Sequence, residues 1–380
     1  MEKQRSIKKE SEVELPKPDN EISRREFLKT AGASFAAAIL AGNIKEALAL
    51  IEKMSETKEK ESGEPKISFD IFYSFHDTEK DAKGLAEQIK KSDVYMPELF
   101  GWDERYLNDT KAIAEGKMTP DELMWKRLRG FDQEYPHSFD YAEAKALYKS
   151  GKYVAYVDVP REHPLFDKGA DAREELGRID LEKNFPELVA SFKENVKRWA
   201  DVQKKREAYI LSELKRFADI IKDGRVPELK GKKEIKTLIA LGAMHTGVYH
   251  ELTRAKEETS REFHIMPLVF GKFASELARR FMFDKDTDET LASQALFGAV
   301  FSSMVHNHSD KSIRGSYEVS LIERKIVPQF SIDEIKKIFA EARAAEDPQK
   351  KFLDASLEKL KEKGIHLPSS EKELDAFLNG

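Results

Sequence analysis

Cysteine is absent from the 380-residue chain. Disulfides, thiolate metal sites and cysteine nucleophiles are thereby excluded, so any bound metal must be held by His, Asp or Glu. Long hydrophobic runs are missing too. The longest, from Thr30 to Gly42, falls short of the ~20 residues that a helix needs to cross a bilayer, and no permanent membrane span is expected. Charge of one sign is also lacking: 65 Lys and Arg stand against 70 Asp and Glu, a net charge of −5. No half of the chain is strongly basic, which argues against nucleic acid as a partner. What is present is enough apolar residue, 40% with 10% aromatic, to bury a core in one large domain or two ordinary ones.

The N-terminal part differs in pattern from the rest. Arg24 and Arg25 close a charged region, Thr30 to Gly42 is a short apolar region rich in Ala, Gly and Ser, and Ala47-Leu48-Ala49 offers a small-x-small cleavage site. These are the parts of a secretory signal in their proper order. The run Ser23-Arg24-Arg25-Glu26-Phe27-Leu28-Lys29, with Lys45 after the apolar region, resembles a twin-arginine translocation signal. The resemblance implies passage through the twin-arginine translocase and export, already folded, to a periplasmic or extracytoplasmic location. Residues 1–22 carry Glu2, Glu10, Glu12, Glu14, Asp19 and Glu21, so the leading region is not simply basic and cleavage after Ala49 stays open. Residues 1–49 are read as the signal region and 50–66 as a charged linker.

From residue 67 the apolar period changes. Ile67 to Phe75, Asp93 to Glu98, Tyr153 to Asp158, Lys236 to Leu241 and Phe263 to Phe270 read as strands. Helical spacings lie between them, the longest from about Pro186 to Lys222. Helix starts are marked by Thr119-Pro120-Asp121-Glu122 and by capping boxes at Ser331 to Glu334 and Ser370 to Glu373. Strands alternating with helices predict an α/β fold, a mainly parallel central sheet flanked by helices over residues 67–271, with a helical C-terminal part over 272–380.

Ligand sites in such sheets form beyond the carboxyl ends of the strands. Those ends carry His76, Glu98, Asp158 and His245. Arg206 lies on the apolar stripe of the long helix, where an unpaired guanidinium is costly. Either it finds a carboxylate, Glu98 being a candidate, or it snorkels off the edge of the stripe. The segment Gly242 to Glu251 turns from strand into helix at His245, and the free N–H groups of a helix start suit an anion or a developing oxyanion. His250 is read as a supporting residue behind His245. His163 sits in a polar loop that either lines the pocket or faces solvent, while His306 and His308 either chelate a metal or end a polar helix.

Gly242-x-x-His245 after an apolar strand, His76 after the first strand, Glu98 after the second, and Arg206-Glu207 on a helix upstream together resemble the TraB/Tiki and erythromycin-esterase/ChaN superfamily. The resemblance spans roughly residues 67–271. It implies a site in which His76, Glu98 and His245 either hold a divalent metal (Mn, Co, Fe or Zn) or activate water directly. It further implies a hydrolase acting on an ester or peptide bond of a small-molecule or peptide substrate. Three positions before His76 stands Tyr73, where the superfamily prefers glycine, so only the second motif is intact. Tyrosine can ligate haem iron, which opens the alternative of a binding protein for haem, iron or a peptide signal, with Tyr73, Asp158 and His250 lining its site.

Overall fold

The structure, a computed structural model, describes residues 64–74, 79–128, 138–263, 273–308, 316–368 and 371–379. Five strands form one all-parallel sheet: β1 (Lys66–Ser74), β2 (Val94–Met96), β3 (Tyr153–Val154), β4 (Glu234–Gly242) and β5 (Glu258–Phe263). Their order across the sheet is β3-β2-β4-β1-β5. The central pair, β1 and β4, runs in register from Lys66 opposite Glu234 to Ser74 opposite Gly242.

Both central strands read as apolar runs because helices cover both their faces. On one face Phe69, Ile71 and Tyr73 of β1 pack with Ile235, Ile239 and Leu241 of β4. On the other, Phe72, Leu238 and Ala240 meet Leu85 and Ile89 of α1 (Glu79–Lys91). Three more helices follow β2: α2 (Glu104–Ala114), α3 (Pro120–Leu128) and α4 (Ser138–Leu147). The start of α3 is a reciprocal cap, in which Glu122 N donates to Thr119 Oγ1 at 3.2 Å and Thr119 N donates to Glu122 Oε2 at 2.7 Å.

Past β3 come α5 (Pro164–Gly177) and the 38-residue α6 (Phe185–Lys222). This long helix serves two cores. Its first half gives Phe192, Val196 and Ala200 to a helical layer, and its second half gives Ile210, Leu214, Phe217 and Ile221 to the sheet face. Between the halves the buried residues turn polar: Gln203, Arg206 and Glu207. That change marks the site.

Next, α7 (Thr246–Arg254) follows β4, and the helical layer is completed by α8 (Phe273–Met282), α9 (Glu289–His308), α10 (Ser316–Ile326), α11 (Ile332–Arg343), α12 (Pro348–Glu362) and α13 (Glu371–Asn379). At its centre the ring of Phe297 lies 4.6 Å from Phe330, 5.3 Å from Phe352 and 5.8 Å from Phe301, centroid to centroid. The capping box at Ser331 and Glu334 opens α11, whereas Ser370 lies outside the described residues. No helix among the described residues is long and apolar enough to cross a membrane.

Two strands differ from the sequence reading. The third ends at Val154 rather than Asp158, because the chain leaves the ladder and pairs again only as an isolated bridge between Trp102 and Pro160. The fifth is Glu258–Phe263, where a helical stretch was expected; residues 264–270 of the expected strand lie outside the described set. Within the sheet β5 pairs with β1 on one side and forms its edge. An edge strand with exposed residues carries polar side chains, so no apolar run announces it.

Candidate functional site

Neighbouring strands β1 and β4 send their chains to opposite faces of the sheet. The helix after β1 packs Leu85 and Ile89 on one face, and the helix after β4 packs Val248 and Leu252 on the other. A crevice at such a switch point is where open parallel sheets bind ligands. His76, expected at the end of the first strand from the sequence, lies with residues 75–78 outside the described residues.

Arg206 organises what is described there. It is 7% exposed and Asp158 only 1%. Its guanidinium forks onto Asp158, Nε to Oδ1 at 2.8 Å and Nη2 to Oδ2 at 2.5 Å, while Nη2 also donates to Glu98 Oε1 at 2.7 Å. The fork fixes the plane of the group. Phe100 stacks against it, with 4.9 Å from Cζ to the ring centroid. Burial alone disfavours the charged guanidinium, but Glu98 and Asp158 outweigh it and hold Arg206 more firmly protonated than usual. The pairing with a carboxylate, one of the two readings open from the sequence, is the one the structure shows.

Glu98 ties three elements together. It follows β2, accepts from Arg206 Nη2 with Oε1, and accepts from the backbone N–H of Gly242 at the end of β4 with Oε2. Its Oε1 is also 3.3 Å from His245 Nε2. His245, 2% exposed, sits on the short 3-10 turn Ala243–His245 that leads into α7. On its other side Nδ1 is 3.7 Å from Glu207 Oε1, and its carbonyl accepts from Tyr73 Oη at 3.1 Å. Burial and the charge of Arg206 push the imidazole's pKa down. Glu98 and Glu207 push it up by more, to about 9, which favours the imidazolium form at neutral pH.

Glu207 was noticed in the sequence only as the companion of Arg206. A signal for it existed, since Ala200, Gln203, Glu207, Ile210 and Leu214 follow one three-and-four spacing along the buried line of α6. A carboxylate on that line needs a buried partner as much as Arg206 does. Its partners are the N–H of Gly247, at 3.3 Å, and His245. The Gly247 amide, expected to serve an anionic ligand, therefore already serves Glu207.

Other expectations are corrected in the same way. Asp158 does not line a ligand site, because its oxygens take Arg206 and the N–H of Val159. His250 is exposed and turns its ring edge-on to Phe283, on the outer side of α7. His163 caps α5, its Nδ1 accepting from Leu165 N at 3.1 Å. His306 and His308 fall in the last turn of α9.

A cleft of about 850 Å³ opens onto this cluster. Glu98, Arg206 and Arg173 line it together with the apolar rings of Phe100, Phe166 and Trp199. Its size suits a drug-sized molecule or a short peptide, since ligand pockets run to roughly 300–1,000 Å³. Glu98 presents 15% of its side chain to solvent and His245 stands behind it.

Two groups implied by the sequence can be tested against these residues. For a divalent metal, the described donors are Glu98 and His245, and the third expected ligand, His76, lies outside the described residues. The Glu98 oxygen nearest His245 is shared with the Arg206 cation. Among the described residues no three His, Asp or Glu are grouped to hold an ion. For haem, Tyr73 does not fit as the ligand: it is fully buried, its hydroxyl donates to the His245 carbonyl, and burial with the nearby Glu207 charge raises its pKa against the phenolate.

No protein-family model matches the chain, and no curated protein or solved structure gives a significant match.

Proposed function

We propose that the chain is an exported hydrolase of ester or peptide bonds that works through Glu98, with His245 and Arg206 behind it. The observation that carries this reading is the 3.3 Å approach of His245 Nε2 to Oε1 of Glu98, a residue that lines the cleft. Glu98 takes a proton from the water that attacks the substrate carbonyl and returns it to the leaving oxygen or nitrogen as that bond breaks. Arg206 and the imidazolium of His245 steady the carboxylate and the charge that develops beside it. The order of Glu98, Arg206-Glu207 and Gly242-x-x-His245, with its likeness to the TraB/Tiki and erythromycin-esterase superfamily, supports the reaction class. His76 enters this reading through the sequence.

The aromatic wall of Phe100, Phe166 and Trp199 favours a second reading, a non-enzymatic extracytoplasmic protein that binds a peptide signal, haem or iron in the same cleft. One experiment separates the two. The purified full chain is assayed on ester and peptide panels, with its absorption spectrum and metal content recorded, beside Glu98→Gln and His245→Ala. The hydrolase reading expects turnover that falls about a hundredfold in Glu98→Gln. A Soret band without turnover would leave the binding reading standing. Equal turnover in both variants and the wild type would place the reaction elsewhere.

Export belongs to the same proposal and rests on Ser23 to Lys29 and the apolar region after it. Replacing Arg24 and Arg25 by lysine together is expected to keep the protein in the cytoplasm, as read by cell fractionation. Cleavage after Ala49 would give an exported form that begins at Leu50; an intact N-terminus on that form would show a retained signal.

A further inference from the structure

His245 Nδ1 is a buried nitrogen without a hydrogen-bond partner among the described residues. Buried donors left so cost ~1–3 kcal/mol, and each asks for an explanation. The oxygen placed to satisfy it is Glu207 Oε1, 3.7 Å away, a few tenths of an ångström beyond hydrogen-bond range.

Three features put that oxygen there. Residue 207 lies on the buried line of α6 at the change-over between its two apolar halves. The first turn of α7 offers it the Gly247 N–H at 3.3 Å, and the positive end of the helix favours the carboxylate. Residue 247 also has no side chain: a Cβ there would lie 2.1 Å from Glu207 Oε2, inside any tolerable contact. The glycine is what leaves room for the carboxylate beside His245.

We infer that Glu207 is a positioning residue, which accepts a hydrogen bond from the Nδ1–H of His245 and so keeps Nε2 turned toward Glu98. The inference rests on the reading of Glu98 and His245 as the working pair. Tyr73 fixes the main chain at His245 through its carbonyl, and a hydrogen bond from Nδ1 to Glu207, closing the present 3.7 Å, would keep the imidazole from exchanging its two nitrogens. Its Nε2 proton then always faces Glu98.

The test uses the full chain with ¹⁵N-labelled histidine and three variants, Glu207→Leu, Glu207→Gln and Gly247→Ala. The His245 signal is identified by its loss in His245→Asn. In the wild type the Nδ1 proton of His245 is expected as a slowly exchanging resonance. It should persist in Glu207→Gln, which keeps an acceptor at that place, and vanish in Glu207→Leu and in Gly247→Ala, where the added methyl displaces the carboxylate. In the hydrolysis assay the same two variants should lose about tenfold in kcat, as supporting residues of this kind do, with KM within about twofold. A slowly exchanging Nδ1 proton in a folded Gly247→Ala protein would overturn the inference even if Glu207→Leu fails to fold. If the wild type hydrolyses nothing, the hydrolase reading falls while the resonance still decides the role of Glu207.

Discussion

Replacing Arg206 by alanine is expected to destabilise the fold by about 3–5 kcal/mol, the range for removing one partner from a buried ion pair. The loss comes less from the missing attraction than from what is left behind. Asp158, 1% exposed, and Glu98 would both face an empty space in place of the guanidinium they share. Water cannot easily replace it, because Phe100 closes one side and Gln203 another, its Oε1 taking Nη1 at 3.4 Å.

Lysine at the same position should recover only part of the loss. It keeps the charge but not the flat fork that reaches two carboxylates at once. The urea midpoint of each variant, with the slope unchanged, measures the effect. Adding Asp158→Asn to Arg206→Ala should cost less than the sum of the two, since the second change removes the charge stranded by the first. Strict additivity would mean that the pair does not interact as the geometry requires.

A second large effect is a fall in stability as the solution becomes alkaline. The ordinary histidine pKa is 6.5, and His245 is raised to about 9: burial and Arg206 oppose the rise, and Glu98 and Glu207 overcome it. Between those two values the folded protein binds a proton that the unfolded chain does not, so stability decreases with pH across that window. The contribution is complete below about pH 6.5 and lost as the pH passes about 9. At about 1.4 kcal/mol for each pKa unit, it amounts to roughly 3 kcal/mol.

Urea midpoints of the wild type at pH 6 and pH 10 should therefore differ by more than those of His245→Gln, whose neutral amide does not titrate. The difference between the two proteins isolates this residue from other groups that titrate over the same range. If both proteins lose the same stability, the imidazole is not held as a cation in the fold.

How far the sequence reaches can be seen residue by residue. Strands β1 and β4 were legible because their later halves, Ile71 to Tyr73 and Leu238 to Leu241, are buried on both faces and read as apolar runs. The long helix was legible from Phe192, Val196, Ile210 and Leu214, and the start of α11 from Ser331 and Glu334. The edge strand Glu258–Phe263 was not, since solvent on one side removes the pattern that marks a strand. Glu98, Arg206 and His245 were legible as polar residues at strand ends or on a buried stripe. Their partners were less so: Glu207 carried the same spacing signal, but the competing signal of its neighbour Arg206 drew the reading.

By itself the sequence determined the elements and the faces they bury, because periodicity is a local property of the chain. It also determined that Arg206 needed a partner or an exit, because charge and burial conflict whatever the fold. Only the tertiary structure decided that the partner is a pair of carboxylates 48 and 108 residues away. It alone decided that Gly247 makes room for Glu207 and that His245 is caught between two carboxylates. Such contacts depend on where α6 crosses the ends of β2 and β4, and an ångström of shift there would exchange every partner. Periodicity records which side of a helix is buried; the crossing of two elements decides what each buried residue meets.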